Sequence, residues 1–302
     1  MIFIQIQKKA NKQKNHNYIK SPLNYNGNKY RLLTQIIPLL PENINTFVEP
    51  FCGSCCVGLN VSANKYIFND VNRYIISIYR LFQEKSYEEI FEMVTSFICD
   101  YKLSKTNEEG YLKLRNYYNN EDNSNQVVLY VLLCHCYNNQ FRVNKKGDFN
   151  MPFGRNRSDF NLSLQQRLKI FCEISKEKQM LFFNTFFDDI SIGYYDLNPQ
   201  LDFVYIDPPY LISTANYNEN GGWTEELEKR MLEFTLWLTQ LGIRWAMSNV
   251  THHKGKENIF LLKYIENNPQ LTVHKLEMSY KHSSYNKHDK NEKTTEVLLT
   301  NY

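Results

Sequence analysis

The tightest constraint in this chain is a stop placed directly after a buried strand. Leu201-Asp202-Phe203-Val204-Tyr205-Ile206 is a short run of apolar, β-branched and aromatic residues, the pattern of a strand buried in a core. It runs straight into Asp207-Pro208-Pro209-Tyr210. Each proline lacks an N–H and fixes φ, so neither a ladder nor a helix can continue there. What remains is a rigid carboxylate, a bare backbone carbonyl and an aromatic ring at the end of a strand. Ligands of open α/β sheets bind outside the carboxyl ends of the strands. The chain is therefore expected to gather its functional residues opposite Asp207 and Tyr210.

The preceding sequence supplies other strands for such a sheet. Thr46 to Pro50 predicts a strand leading into the small-residue turn Phe51-Cys52-Gly53-Ser54-Cys55-Cys56, then a helix over residues 57–63 with Ser54 as its cap. Strand, turn and helix form the opening βα unit of a nucleotide-binding sheet, and Gly53 lets the backbone approach a ligand closely. Tyr66 to Asp70 predicts a second strand ending in an acid. An acid about 20 residues past such a turn can accept hydrogen bonds from ribose hydroxyls, and Asp70 can equally cap the following helix. Met180 to Asn184 and Ile243 to Ser248 predict further strands, with helices over 224–241 and 256–265. Residues 271–280 and 295–302 predict two strands that pair antiparallel. No GK[ST] phosphate loop occurs, which disfavours phosphoryl transfer from a nucleoside triphosphate.

Ahead of the first strand, Ser21-Pro22-Leu23-Asn24-Tyr25-Asn26-Gly27-Asn28-Lys29 predicts a tight loop, followed by a short helix over 31–40. Its ring and its lysine could clamp a small ligand, Tyr25 by stacking and Lys29 by pairing a carboxylate.

From residue 71 to 178 the pattern turns helical, with apolar spacing through Ile75, Ile78, Tyr79 and Phe82, then Ile90, Val94 and Ile98. This block ends in the loop Tyr137 to Arg157, where aromatics, amides and arginines are interleaved around Gly147 and Gly154. Arg reads guanine, Asn and Gln read adenine, and aromatics stack on bases, so a nucleic-acid role is preferred to a solvated basic hairpin. Cys134-His135-Cys136 is a poor metal site, because residues two apart on a helix face different ways. The net charge of +3 permits a polyanionic partner without requiring one. Seven cysteines without paired CxxC spacing predict free thiols in a reducing, cytoplasmic setting. No run is long enough to span a membrane.

The order of Tyr25-Asn26-Gly27-Asn28-Lys29, Phe47-Val48-Glu49-Pro50-Phe51-Cys52-Gly53-Ser54, Phe149 to Arg155 and Asp207 to Tyr210 resembles the Dam-type DNA adenine-N6 methyltransferases, in the alpha-group arrangement of motifs. The resemblance implies a Rossmann-like α/β sheet with a helical target-recognition insert. Residues 1–70 and 179–302 would form the catalytic and cofactor-binding domain, and 71–178 the recognition domain. It implies S-adenosylmethionine as methyl donor, double-stranded DNA as substrate, a prokaryotic or phage origin, and either an orphan Dam-like enzyme or a member of a restriction-modification system with a restriction endonuclease as its companion. Carried onto this chain, Tyr25, Lys29, Glu49, Phe51, Gly53, Asp70 and Asp207 would bind the cofactor. Asp207, Pro208 and Tyr210 would act on the base, and Tyr137, Asn138, Arg142, Asn144 and Arg155 would contact DNA. The N-terminal loop departs from the family's Trp with Ala-Gly-Gly, and the turn has Gly53-Ser54-Cys55 where Gly-x-Gly is common.

Adenine N6 is a weak nucleophile because its lone pair is delocalised into the ring. Asp207 and the Pro208 carbonyl would accept its two hydrogens and favour a pyramidal amine. Tyr210 would stack on the base, which must first be flipped out of the duplex. The rival readings are an amino-methyltransferase acting on RNA or on a protein glutamine, and a DNA-binding homologue without activity. The polar stretch 211–222 is expected to form a lid, and the lysine-rich N-terminal tail and the 281–293 loop to be surface.

Overall fold

The computed structural model describes residues 18–212, 222–277 and 294–302. Most of the expected lid, the 281–293 loop and most of the N-terminal tail lie outside the described residues. A short helix, α1 (Leu33–Ile36), leads into β1 (Ile44–Glu49), β2 (Ala63–Asn69), and a block of five helices: α2 (Arg73–Glu84), α3 (Tyr87–Asp100), α4 (Glu108–Asn120), α5 (Gln126–His135) and α6 (Leu162–Glu177). Then follow β3 (Gln179–Phe183), β4 (Phe203–Ile206), α7 (Glu225–Gln240), β5 (Arg244–His253), β6 (Lys256–Glu257), α8 (Ile259–Asn267), β7 (Thr272–Leu276) and β8 (Thr295–Thr300).

The strands form one sheet in the order β3-β2-β1-β4-β5-β8-β7, with β6 on the end of β5. The first five are parallel, while β8 runs antiparallel to both β5 and β7. All four residues of β4 are buried, as expected for a parallel strand covered on both faces. Alternation along β1 and β4 splits the core. Phe47, Phe203 and Tyr205 face a cluster that includes Tyr79, Leu129 and Phe171, whereas Val48, Val204 and Ile206 face Met231, Leu238 and Leu261. The helical block thus shares its apolar core with one face of the sheet, anchored where Tyr79 stacks between Phe171 and Phe182.

Strand order reverses between β1 and β4, which lie side by side with Phe47 opposite Phe203. This is the switch point at which doubly wound sheets hold ligands. Both Gly53 and Asp207 lie just beyond it.

Several local expectations are corrected. Residues 57–63 do not form the expected helix: a 3-10 turn covers Gly58–Asn60, and Ala63 already pairs with Ile44. The Tyr66 hydroxyl bridges the Val61 carbonyl and the Ala63 N–H, which fixes this early strand start. Ser54 therefore caps nothing. Asn72, not Asp70, caps α2 by accepting the Tyr74 N–H. The 31–40 segment is a single helical turn flanked by 3-10 turns, and the helix expected from residue 256 starts at Ile259. Thr224 does cap α7, accepting the Leu227 N–H.

Candidate active site

At the switch point, chain ends from four places converge. Asp207 follows β4, Glu49 ends β1, Asp70 follows β2, and Lys29 arrives from the N-terminal loop. Lys29 is only 4% exposed. Its ammonium lies 2.8 Å from Asp207 Oδ1, 3.7 Å from Glu296 Oε1 and 2.9 Å from the Gly27 carbonyl, and it stands over the Tyr210 ring at 4.9 Å. Burial works against this ammonium, but Asp207 and then Glu296 more than offset it, and the Lys29 pKa is raised. Lys29 thus pairs a carboxylate, as its type suggested, but that carboxylate is the protein's own Asp207.

The Tyr210 hydroxyl lies 3.2 Å from Asp207 Oδ1 and 3.0 Å from Glu296 Oε1. Lys29 and Tyr210 therefore both engage Oδ1 of Asp207, and Oδ2 accepts no hydrogen bond among the described residues. Burial pushes the Asp207 carboxyl above its ordinary range, against the pull of Lys29. Pro208, which supplies the second acceptor of the expected pair, is buried.

The neighbouring turn is built for close approach. Gly53 has φ +44°, and a Cβ there would stand 2.9 Å from the Tyr25 ring, so Tyr25 lies directly on the glycine backbone. The Gly53 N–H donates to Asp70 Oδ2 and the Asn72 N–H to Asp70 Oδ1, each at 2.9 Å. The Gly53 carbonyl accepts the Tyr79 hydroxyl. Despite its two donors, burial lifts Asp70 to about 6. Glu49 is 3% exposed and accepts one bond, from the Gly58 N–H, among the described residues. Burial, with Asp207 and Asp70 nearby, pushes its carboxyl well above the ordinary range. Phe51 packs at 5.0 Å on Phe187 and edge-on to Trp223.

The insert's loop is a small hairpin, with Val143 paired to Phe149 and Cys136 to Phe153. Asn144 makes its turn: its side-chain oxygen accepts the Lys146 and Asp148 N–H groups and its amide donates to Asp148. That leaves Asn144 a turn former, its side chain engaged locally. Arg142 is braced across the hairpin on Asn150 through Nε and Nη2. Tyr137 is 42% exposed beneath the Arg157 guanidinium, and Arg155 pairs with Glu108. Asn138 and Asn139 both have positive φ, an arrangement that Asn tolerates better than most residues.

Sequence reasoning missed two features. One is Glu296, the acid near the start of a strand whose centre, Val297-Leu298-Leu299, is apolar. The other is a bridge from the N-terminal loop to the insert, where the Gln140 amide donates to Asn26 and the Asn24 side chain accepts from Arg167.

The sequence profile of the D12 class N6 adenine-specific DNA methyltransferases matches residues 25–267, which takes in every residue of this site except Glu296. The chain belongs to that family. This D12-class chain is 44% identical over 289 residues to modification methylase StsI of Streptococcus sanguinis, and 42% identical over 295 residues to type II methyltransferase M.FokI of Planomicrobium okeanokoites. Those alignments cover 94% and 96% of the D12-class chain but 43% and 44% of the relatives, so it spans less than half of their length. It is also 32% identical to the DNA adenine methylase of Vibrio cholerae, over 66% of the chain and 69% of that relative. Among the described residues, no helix is long and apolar enough to cross a membrane.

Proposed function

We propose that this chain transfers a methyl group from S-adenosylmethionine to N6 of an adenine flipped out of duplex DNA. One observation carries the reading. At the end of β4, Lys29 and Tyr210 both hold Oδ1 of Asp207, and among the described residues Oδ2 is left to accept an amino hydrogen.

The cofactor pocket passes a chemical test of fit. Glu49, Asp70 and Asp207 lie near one another with one lysine beside Asp207, and all three carboxyls are pushed upward, with burial the leading cause. Such an excess of buried acid is suited to a cationic ligand. Glu49 also has acceptor capacity to spare. Tyr25, Glu49, Phe51, Gly53 and Asp70 would hold S-adenosylmethionine. When bound, it supplies an electrophilic methyl carbon on a sulfonium.

The protein's task is then orientation and electrostatics. Asp207 Oδ2 and the Pro208 carbonyl accept the two N6 hydrogens, which localises the lone pair and stabilises positive charge developing on nitrogen. Tyr210 has its hydroxyl tied to two carboxylates and Lys29 over its ring, so it forms a fixed wall against which the base can rest.

The 71–178 block is assigned to target recognition, with Tyr137, Asn138, Arg142 and Arg155 as contact residues and the exposed Lys145 and Lys146 at the hairpin tip on phosphate. Relatives named as a modification methylase and as a type II methyltransferase support a role beside a restriction endonuclease. The test is incubation of the purified chain with labelled S-adenosylmethionine and duplex DNA. Label on adenine with wild type, and at most about a hundredth as much over the same initial period with Asp207→Ala, is expected. Wild type without label overturns the reading.

A further inference from the structure

Glu296 lies on β8, in the antiparallel part of the sheet, outside the family match and outside every motif singled out above. It is 7% exposed, and on its neighbouring strands it pairs with Val250 and Leu276, neither of which ionises. The titratable groups that face it among the described residues are Lys29 from the N-terminal loop, Tyr205 on β4, and Asp207 and Tyr210 after β4. Tyr205 is itself tied to Ser248 by a 2.6 Å hydrogen bond. A buried acid placed beside another buried acid is costly unless the pair shares a cation or a hydrogen bond. Here it shares both. Lys29 stands between the two carboxylates, and the Tyr210 hydroxyl reaches both.

Resting on the methyl-transfer reading above, we propose that Glu296 is a positioning residue that divides Lys29 and Tyr210 between two carboxylates and so sets the acceptor strength of Asp207. Without Glu296, Lys29 and Asp207 would form a closed one-to-one ion pair. The lysine would then satisfy much of the charge that Asp207 must offer to the adenine amino group. With Glu296 present, the Lys29 charge is shared. Asp207 keeps a stronger pull on N6 hydrogens and on the positive charge that develops there. Glu296 also fixes the Tyr210 ring from its hydroxyl end without touching the base.

The experiment titrates Asp207 directly, by carbon-13 NMR of the aspartate side-chain carboxyls in the full chain without DNA or cofactor. The Asp207 signal is identified by its loss in Asp207→Asn. Glu296→Gln keeps the size and the acceptor oxygen and removes only the charge. Its Asp207 midpoint is expected to move down by about one pH unit, because a like charge has been withdrawn. The acid limb of the single-turnover pH profile should move down with it. Glu296→Asp, which keeps the charge, should leave the midpoint within about half a pH unit of wild type. An unchanged or raised midpoint in Glu296→Gln, or an equal fall in Glu296→Asp, overturns the proposal. If Glu296→Gln does not fold, Tyr210→Phe probes the bridge from its other end. Loss of the donated hydrogen bond should raise the Asp207 midpoint, and no rise overturns the shared arrangement. A midpoint that moves as expected in a chain that puts no methyl on adenine leaves this inference standing and removes the functional reading. Methylation with an unmoved midpoint does the reverse.

Discussion

The carboxyl edge of the sheet and the hairpin of the insert are both crowded with polar side chains, but they use them oppositely. At the sheet edge Lys29, Glu49, Asp70 and Glu296 are all less than 10% exposed, and their partners are one another, Asp207, Tyr210 or the backbone. On the hairpin, Tyr137, Asn138, Lys145 and Lys146 are exposed. Buried groups interact strongly because little water screens them, so their positions are set before any ligand arrives. Exposed groups are screened and mobile, and gain their full strength only against a partner. Chemistry is therefore expected from the first region and choice of target from the second.

Substitutions can break that division. Asp207→Ala should have the largest effect, lowering the methyl-transfer rate by about 100- to 1,000-fold, on the scale of losing one preorganised electrostatic contact. Single-turnover rates on duplex DNA measure it. Gly53→Ala comes next. It places a side chain at φ +44° against the Tyr25 ring and should cost about 1–3 kcal/mol, read as weaker cofactor binding by calorimetry and a lower unfolding midpoint. Arg142→Ala should act on the other side of the division. Discrimination between DNA sequences should fall by about 1–3 kcal/mol while cofactor affinity stays unchanged, and equal loss of both would erase the distinction between the regions.

A smaller effect follows from Asp70, whose carboxyl titrates at about 6. If the charged form accepts the cofactor's ribose hydroxyls, bound cofactor holds its pKa down. Affinity is then complete above pH 6 and declines as the pH falls through that value, by up to about tenfold per pH unit. Isothermal titration with a sulfonium analogue between pH 5 and 8 checks this, and a flat profile would remove Asp70 from the ligand set. Smallest of all, Lys146→Ala should leave the rate on short duplexes nearly unaltered and flatten the salt dependence of DNA binding by roughly one counterion.

The same contrast explains how much could be read before the structure. Strand β4 and its Asp207-Pro208-Pro209-Tyr210 stop were legible because buried parallel strands are continuous apolar runs and proline punctuation is local. The order of the motifs pointed to the family, and the profile match bears that out. Asn144 was expected to contact DNA, and its role in the turn was not foreseen, because an Asn that makes a turn and an Asn that reads a base look alike in sequence. Only the hydrogen bonds within residues 144–148 separate them. Residues 57–63 looked helical, yet the pairing of Ala63 with Ile44 decided their conformation, a tertiary contact that overrides local propensity. Glu296 was invisible for a related reason. Its partners Lys29 and Tyr210 lie far away in the chain, and a single acid at the edge of an apolar strand carries no local pattern.

The Asp207 site is proposed to deliver a methyl group to adenine N6. Nucleoside analysis of duplex DNA incubated with S-adenosylmethionine and either wild type or Asp207→Ala tests it most directly. N6-methyladenine is predicted with wild type, confined on sequencing to one short motif, and at most about a hundredth of that yield over the same initial period with the variant. Duplex DNA free of N6-methyladenine after incubation with wild type, or equally modified by both proteins, would contradict it.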